Sequence, residues 1–141
     1  MRTLLSLATA LAGVCLLWAV PVLAHHAFAA EYDGTKPLTL RGAVTMVEWV
    51  NPHIWIHIDV KGPDGKVASW SVECGAPNTL MRRGWRRDSL PIGTEIVVDG
   101  FHAKSGKNMI NAANFTFQDG RVLYAGSSGT GAPGDPGAPK P

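Results

Sequence analysis

Apolar and polar positions alternate strictly along residues 53–60. The even-numbered positions are apolar: Ile54, Ile56, Ile58 and Val60. The odd-numbered positions hold polar or aromatic side chains: His53, Trp55, His57 and Asp59. A period of two is typical of a strand with one buried face. The pattern therefore predicts a strand whose isoleucines face a core. Its other face presents two imidazoles, an indole and a carboxylate.

The turn that follows predicts the partner of this strand. Gly62-Pro63-Asp64-Gly65 is typical of a type I turn with Gly65 in a left-handed position. Such a loop pairs Gly62 with Lys66. Continuing that register pairs Ile58 with Trp70, Ile56 with Val72, Ile54 with Cys74, His57 with Ser71, and Trp55 with Glu73. One face of the hairpin then holds the apolar pairs and the other face holds the pairs that contain polar side chains. A register shift of one residue would place polar and apolar side chains on the same face.

The remaining segments predict three more strands and one helix. Leu38–Val50 is the first strand, with Gly42 as the expected position of a bulge or sharp coil. Ala76–Gly84 contains one short helix, because a proline suits the first turn and a glycine the end. Thr94–Phe101 and Asn108–Gln118 are the fourth and fifth strands, and residues 121–124 can extend the edge.

This order of elements selects a fold class. Five strands with a helix between the third and the fourth is the order of an OB-type barrel. We therefore predict an all-β fold, a small five-stranded OB-like barrel with one short helix between strands three and four. An open β-sheet roll is the rival. An immunoglobulin-like sandwich would need about seven strands and no helix.

The two ends of the chain differ in composition from the middle. A basic start, an apolar run and the small-residue motif Val22-Leu23-Ala24 predict a signal peptide over residues 1–24, and therefore a periplasmic or secreted protein. Residues 25–125 form the predicted domain, beginning with an N-terminal arm at 25–37. Residues 126–141 are rich in Gly, Pro, Ser and Ala, which predicts a disordered tail.

Charge and cysteine usage limit the partners. Loss of Arg2 with the signal peptide lowers the net charge from +2 to about +1, which gives no general case for nucleic-acid binding. After cleavage we expect no stable membrane insertion. Cys74 is then the one remaining cysteine, so no internal disulfide can form. Because Cys74 has the same parity as Val72, its side chain is expected to point toward the core, and we interpret it as a buried structural residue.

Cleavage after Ala24 makes His25 the first residue of the mature chain. A terminal histidine offers its α-amine and its ring nitrogen to one metal, a donor pair that suits Cu(II). Proteins with such a histidine brace complete the site with another imidazole. The predicted metal ligands, with copper as the possible cofactor, are His25, His26, His53 and His57, and His102 is also available. The alternative is an ordinary histidine-rich start.

The polar strand face and an arginine-rich segment are the other candidate sites. His53 and His57 lie about 13 Å apart along a strand, so they do not chelate one ion as a pair. Arginines around a tryptophan can hold a carboxylate, a phosphate or an acidic periplasmic protein. The predicted partner contacts are Trp55, Glu73, Arg82, Arg83, Trp85, Arg86 and Arg87. The alternatives are a solvated strand face and a solvated helix end.

No sequence motif of a known catalytic class is present. The chain lacks a nucleophile elbow, a P-loop, a dinucleotide fingerprint and a Cys-pair zinc pattern. We therefore expect a non-enzymatic exported binding protein that takes up copper or another transition metal. The alternative is an accessory domain that docks an acidic partner through Arg82–Arg87. An enzyme using the brace for redox chemistry is a third possibility.

Several motifs in order resemble one protein family. They are His25-His26-Ala27-Phe28, Leu40-Arg41-Gly42-x-Val44, Val47-Glu48-Trp49-x-Asn51-Pro52-His53-x-Trp55, Arg82-Arg83-Gly84-Trp85-x-Arg87-Asp88-Ser89-Leu90, Asp119-Gly120-Arg121 and Ala125-Gly126-Ser127. The set resembles a family of exported bacterial proteins defined only as a domain of unknown function. The resemblance implies export and a small β-rich domain, and it implies no activity, ligand or catalytic residue.

Overall fold

The computed structural model describes residues 28–126. These residues belong to two units, 28–31 to the first and 32–126 to the second. In the first unit the described residues, 28–31, are helical. The predicted signal peptide, His25, His26 and the tail from residue 127 onward lie outside the described residues. No helix within 28–126 combines the length and the apolar character needed to cross a membrane.

The second unit is mostly β-structure in one sheet. Its elements, in chain order, are β1 (Tyr32–Glu48), β2 (Trp55–Lys61), β3 (Val67–Glu73), α1 (Pro77–Arg82), β4 (Glu95–Ala103), β5 (Met109–Phe117) and β6 (Val122–Tyr124). Neighbours in the order β3-β2-β1-β4-β5-β6 pair antiparallel, and β3 also pairs with β5 in parallel. The described residues thus form six strands rather than the five predicted, because residues 122–124 pair with β5.

The β2–β3 hairpin has the predicted register. Trp55 pairs with Glu73, His57 with Ser71, and the intervening apolar pairs follow the same register. The turn closes with Gly62 N–H donating to Lys66 O at 2.8 Å, and Gly65 adopts a φ of 80°, which only glycine takes without strain. The isoleucine face is fully buried, as predicted.

Strand β1 is longer and less regular than predicted. It begins at Tyr32, so the second half of the predicted arm pairs with β4, through an irregularity between Tyr32 and Pro37. Its register with β2 shifts between Val44 and Met46, not at Gly42. Gly42 has a different role: a Cβ there would lie 2.5 Å from Asp59 O. The glycine therefore allows the β1 and β2 backbones to approach closely.

The core lies on the inner side of the sheet and under α1. Its largest fully buried members come from β1 to β5, from α1 and from the residues next to β2 and β3: Phe115, Ile54, Ile56, Ile58, Leu80, Ile96, Ile110, Val44, Val72, Val98 and Cys74. The helix begins with Pro77 at its first turn, which needs no N–H donor there, and it buries Leu80. Cys74 is buried as predicted. The helix and the hairpin together fix the end of β3, where Glu73 stands.

Candidate functional site

Glu73 is a buried carboxylate at the end of β3. Only 5% of its surface is exposed, although its register partner Trp55 is half-buried on the outer face. The Tyr32 hydroxyl donates to Glu73 Oε2 at 2.5 Å, and Glu73 Oε1 contacts Nδ1 of His53. Each carboxylate oxygen therefore has a donor, which is what a buried charge needs.

His53 is held in one tautomer by this contact. A carboxylate only accepts hydrogen bonds, so Nδ1 of His53 carries the proton. In the neutral ring Nε2 then keeps its lone pair. The His53 side chain is 37% exposed. Nδ1 of the ring is thus bound to Glu73, Nε2 has a lone pair for a ligand, and the side chain as a whole is partly exposed to solvent.

Asn111 adds a further acceptor beside this carboxylate. It pairs with Glu73 in the parallel β3–β5 register, and paired residues share a face of the sheet. Asn111 is 3% exposed, yet its Oδ1 has no hydrogen-bond partner among residues 28–126. The surroundings of Glu73 are therefore rich in oxygen acceptors and favour a donor or a cation nearby.

His57 sits in a different environment from His53. Its Nε2 lies 2.6 Å from Glu48 Oε1, and its Nδ1 lies 3.3 Å from the Ser71 hydroxyl. Both ring nitrogens are thus engaged. Carboxylate, imidazole and hydroxyl occur in the order of a nucleophilic triad, but the hydroxyl is beyond the usual reach of a base. Glu48 is exposed, and we interpret the three residues as a surface network.

The predicted metal ligands are divided between described and undescribed residues. His57 lies on β2 and His53 two residues before this strand begins, and the two rings contact separate carboxylates. His102 is elsewhere, 5.5 Å from the Trp70 ring, with Nε2 3.0 Å from Lys107 O. No group of three or more His, Cys, Asp or Glu side chains among residues 28–126 converges as a metal site. His25 and His26 lie outside this part of the chain.

The arginine-rich segment does not present its tryptophan to solvent. Trp85 is 2% exposed, packs edge-on against Phe115, and donates its indole N–H to Tyr124 O at 2.9 Å. Its role as a partner contact is therefore corrected to that of a core residue, since α1 ends just before it and turns it inward. Arg83 donates to Gly126 O at 2.7 Å.

Three of the predicted partner contacts in this segment remain on the surface: Arg82, Arg86 and Arg87. Glu73 is also unavailable to a partner, because it is buried and already accepts from Tyr32 and His53. Trp55 is half-buried. The predicted partner set therefore separates into a buried group and an exposed group that do not form one contact surface.

Sequence reasoning missed Tyr32, Glu48 and Asn111 as members of these networks. Tyr32 lies 41 residues before Glu73, so no local pattern links them. Glu48 could have been found by extending the hairpin logic to β1 and β2, where it pairs with Trp55. Asn111 needed the parallel β3–β5 pairing, which comes from the closure of distant strands.

Comparison with known protein families gives a match over most of the chain. The model of a family described as a family of unknown function, DUF6152, matches residues 14–111. No curated protein and no solved structure matches the chain. The match includes β1 to β4 and the residues around Glu73, and it confirms the predicted resemblance to a domain of unknown function. The chain belongs to DUF6152, a family of unknown function.

Proposed function

We propose that this protein is an exported, non-enzymatic copper-binding protein. Its Cu(II) ligands are the α-amine and the ring of His25 at the mature N-terminus and Nε2 of His53, with His26 as a further donor. The single observation that carries the proposal is the contact of His53 Nδ1 with the buried carboxylate of Glu73.

The Glu73 contact supports His53 as a metal ligand for a physical reason. Histidines that bind metals donate their other ring N–H to a carboxylate or carbonyl, which fixes the tautomer and raises the basicity of the ligand nitrogen. His53 has this arrangement, and Tyr32 in turn fixes the carboxylate. His57 does not serve as well, since Glu48 and Ser71 occupy both its nitrogens.

The covalent length of the chain permits His25 to act with His53. Six residues lie between His25 and Tyr32, and the last four of them, 28–31, are helical, so this connection reaches at most about 17 Å. Tyr32 is bonded to the same carboxylate that holds His53. An amine and imidazoles are donors that Cu(II) binds strongly. Asn111 Oδ1, which has no hydrogen-bond partner among residues 28–126, favours a donor or a cation on this side of the sheet.

We further propose that the sheet is a closed OB-type barrel. Two features support this: the parallel β3–β5 pairing, which joins the first strand of the strand order to the last but one, and α1 between β3 and β4. In that fold the faces of the second and third strands are usual ligand surfaces. The face with His53 and Glu73 belongs to those strands and the residues that flank them.

Copper titration tests the proposal. The chain from His25 is compared with a form carrying one extra N-terminal alanine, by calorimetry and electron paramagnetic resonance. We expect a one-to-one Cu(II) site that the added alanine weakens. His53→Gln should also weaken it, by more than about tenfold, because a nitrogen ligand is lost.

His57→Gln is the matched control, since it removes an imidazole from the same strand face. It should leave the affinity and the resonance spectrum unchanged. Glu73→Gln should lower the affinity about 10- to 100-fold, as is usual when a carboxylate partner of a ligating histidine is changed. Equal, weak binding by the chain from His25, the extended form and His53→Gln would refute the proposal.

A further inference from the structure

Exposed apolar and cationic side chains gather at the end of β1 and in the loop before β4. We define this Arg–Ile surface by Met46, Val50, Arg86, Arg87 and Ile92. Ile92 is 75% exposed, and Met46 and Val50 are each 46% exposed. Both arginines are exposed as well. Such large apolar exposure beside charge marks an interaction surface when the side chains are contiguous.

Two contacts hold the loop before β4 beside the end of β1. The N–H of Gly93 donates to Val44 O at 2.7 Å, which brings Ile92 alongside the part of β1 that follows Val44. The guanidinium carbon of Arg87 lies 5.7 Å from the centroid of the Trp49 ring, next to Val50. Arg87 in the middle of this loop and Gly93 near its end thus lie against Trp49 and the last part of β1.

The charge of this loop is concentrated. Residues 82–88 hold four arginines and one acidic residue, Asp88, in a chain whose total net charge is only +2. Arg83 points back to Gly126 O, while Arg86 and Arg87 stay at the surface. Arginine forks match phosphate oxygens in pairs. The surface therefore complements a ligand that combines anionic groups with an apolar layer.

We propose that the Arg–Ile surface binds reversibly to the headgroups of anionic phospholipids at a membrane surface. Arg86 and Arg87 meet the phosphates, and Ile92 and Met46 enter the boundary between headgroups and acyl chains. The surface shares no residue with the proposed copper site, and the proposal does not depend on that site. Binding is peripheral and weakens with salt, because the attraction extends only over a Debye length.

The side chains favour a lipid surface over an acidic protein. Protein interfaces centre on aromatic and arginine anchors packed into pockets. The tryptophan of this segment, Trp85, is inside the core and cannot act as such an anchor. The apolar members of the Arg–Ile surface itself are aliphatic or thioether groups, and the neighbouring Trp49 is half-buried. Ile92 is the most exposed large hydrophobic residue of the described chain.

Vesicle sedimentation tests the proposal. The chain from His25 is mixed at low salt with vesicles of phosphatidylglycerol or of phosphatidylcholine. We expect binding to the first and not to the second. Arg86→Gln and Arg87→Gln should each lower the partition coefficient about fivefold. Ile92→Ser should lower it as well.

Matched controls lie on the β2–β3 hairpin, away from this surface. Lys61→Gln and Lys66→Gln remove the same charge at exposed positions, and Val67→Ser removes an apolar side chain that is 60% exposed. All three should bind like the unaltered chain. Circular dichroism and the urea midpoint confirm that each variant is folded.

Three results would overturn the proposal. They are no sedimentation with phosphatidylglycerol vesicles, equal sedimentation with both lipids, and an equal loss in the hairpin controls. If the chain does not bind vesicles but binds polyglutamate through Arg86 and Arg87, the surface binds an acidic protein instead.

Discussion

Tyr32→Phe removes one hydroxyl from a buried carboxylate and leaves the rest of the ring in place. The hydroxyl donates to Glu73 Oε2 at 2.5 Å, and Tyr32 is 2% exposed. A hydrogen bond to a charged group contributes about 1.5–3 kcal/mol to stability. Burial keeps water from replacing the lost donor. We therefore expect the free energy of unfolding to fall by about 2 kcal/mol.

The assay is urea unfolding, followed by tryptophan fluorescence and circular dichroism. A loss of about 2 kcal/mol in a domain of this size lowers Tm by roughly 8–16 °C. Tyr124→Phe is the matched control, since the chain has two tyrosines and Tyr124 is 39% exposed. The same chemical change at that position should alter stability by less than about 0.5 kcal/mol.

A double-mutant cycle with Glu73→Gln isolates the contact itself. A glutamine has one oxygen acceptor, so it cannot accept from both Tyr32 and His53 without turning its amide toward a donor. Tyr32→Phe should therefore cost much less in the Glu73→Gln background than in the unaltered chain. A coupling energy below about 0.5 kcal/mol would refute the reasoning, because pairs in direct contact couple by 0.5–3 kcal/mol.

Three further changes have expected outcomes. Gly100→Ala should destabilise the fold by about 1–3 kcal/mol in urea unfolding, because its Cβ would lie 2.1 Å from Asn111 O. Burial, and secondarily the charge of Glu73, raises the pKa of the Cys74 thiol well above its usual value. The folded thiol stays neutral while the unfolded one ionises, so stability should fall as pH rises past about 8.5, and Cys74→Ala should flatten that loss in unfolding measured across pH. The side-chain and then the backbone hydrogen bond from Arg121 lower the pKa of Asp119, so its NMR titration midpoint should lie below that of an ordinary aspartate and rise in Arg121→Gln.

The β2–β3 hairpin was predictable because its determinants are local. The turn glycine and the alternation of residues 53–60 both specify one register, and the structure has that register. The short helix followed from Pro77, its first residue, and Gly84, two residues after its end. In each case the residues that decide the conformation are close neighbours along the chain.

The start of β1 and its register shift were not predictable in the same way. Residues 33–36 look like a turn, with Asp33-Gly34 and a following lysine. They nevertheless belong to β1, whose flanking residues Tyr32 and Pro37 pair with β4. The shift after Val44 accommodates pairing with β2 and β4 together. Such adjustments depend on strands that are distant in the sequence, so a single-strand pattern does not contain them.

The polar face of β2 shows how far alternation alone can identify a site. It places His53 and His57 on one face and cannot distinguish them. The difference comes from their carboxylates: Glu48 is exposed, whereas Glu73 is covered by Tyr32 from β1. An exposed pair such as Glu48–His57 contributes about 0–1 kcal/mol, since water replaces either partner.

The buried pair has the opposite energetics. Taking the Glu73 carboxylate out of water costs several kcal/mol, which an imidazole and a hydroxyl can offset only if both remain in place. A fold that needed only stability could use an apolar residue at the end of β3, where Val72 and Cys74 on either side are fully buried. The carboxylate instead orients the imidazole of His53, whose side chain is 37% exposed. This combination of a costly buried group and an available ligand atom is why we assign the candidate function to His53 rather than to His57.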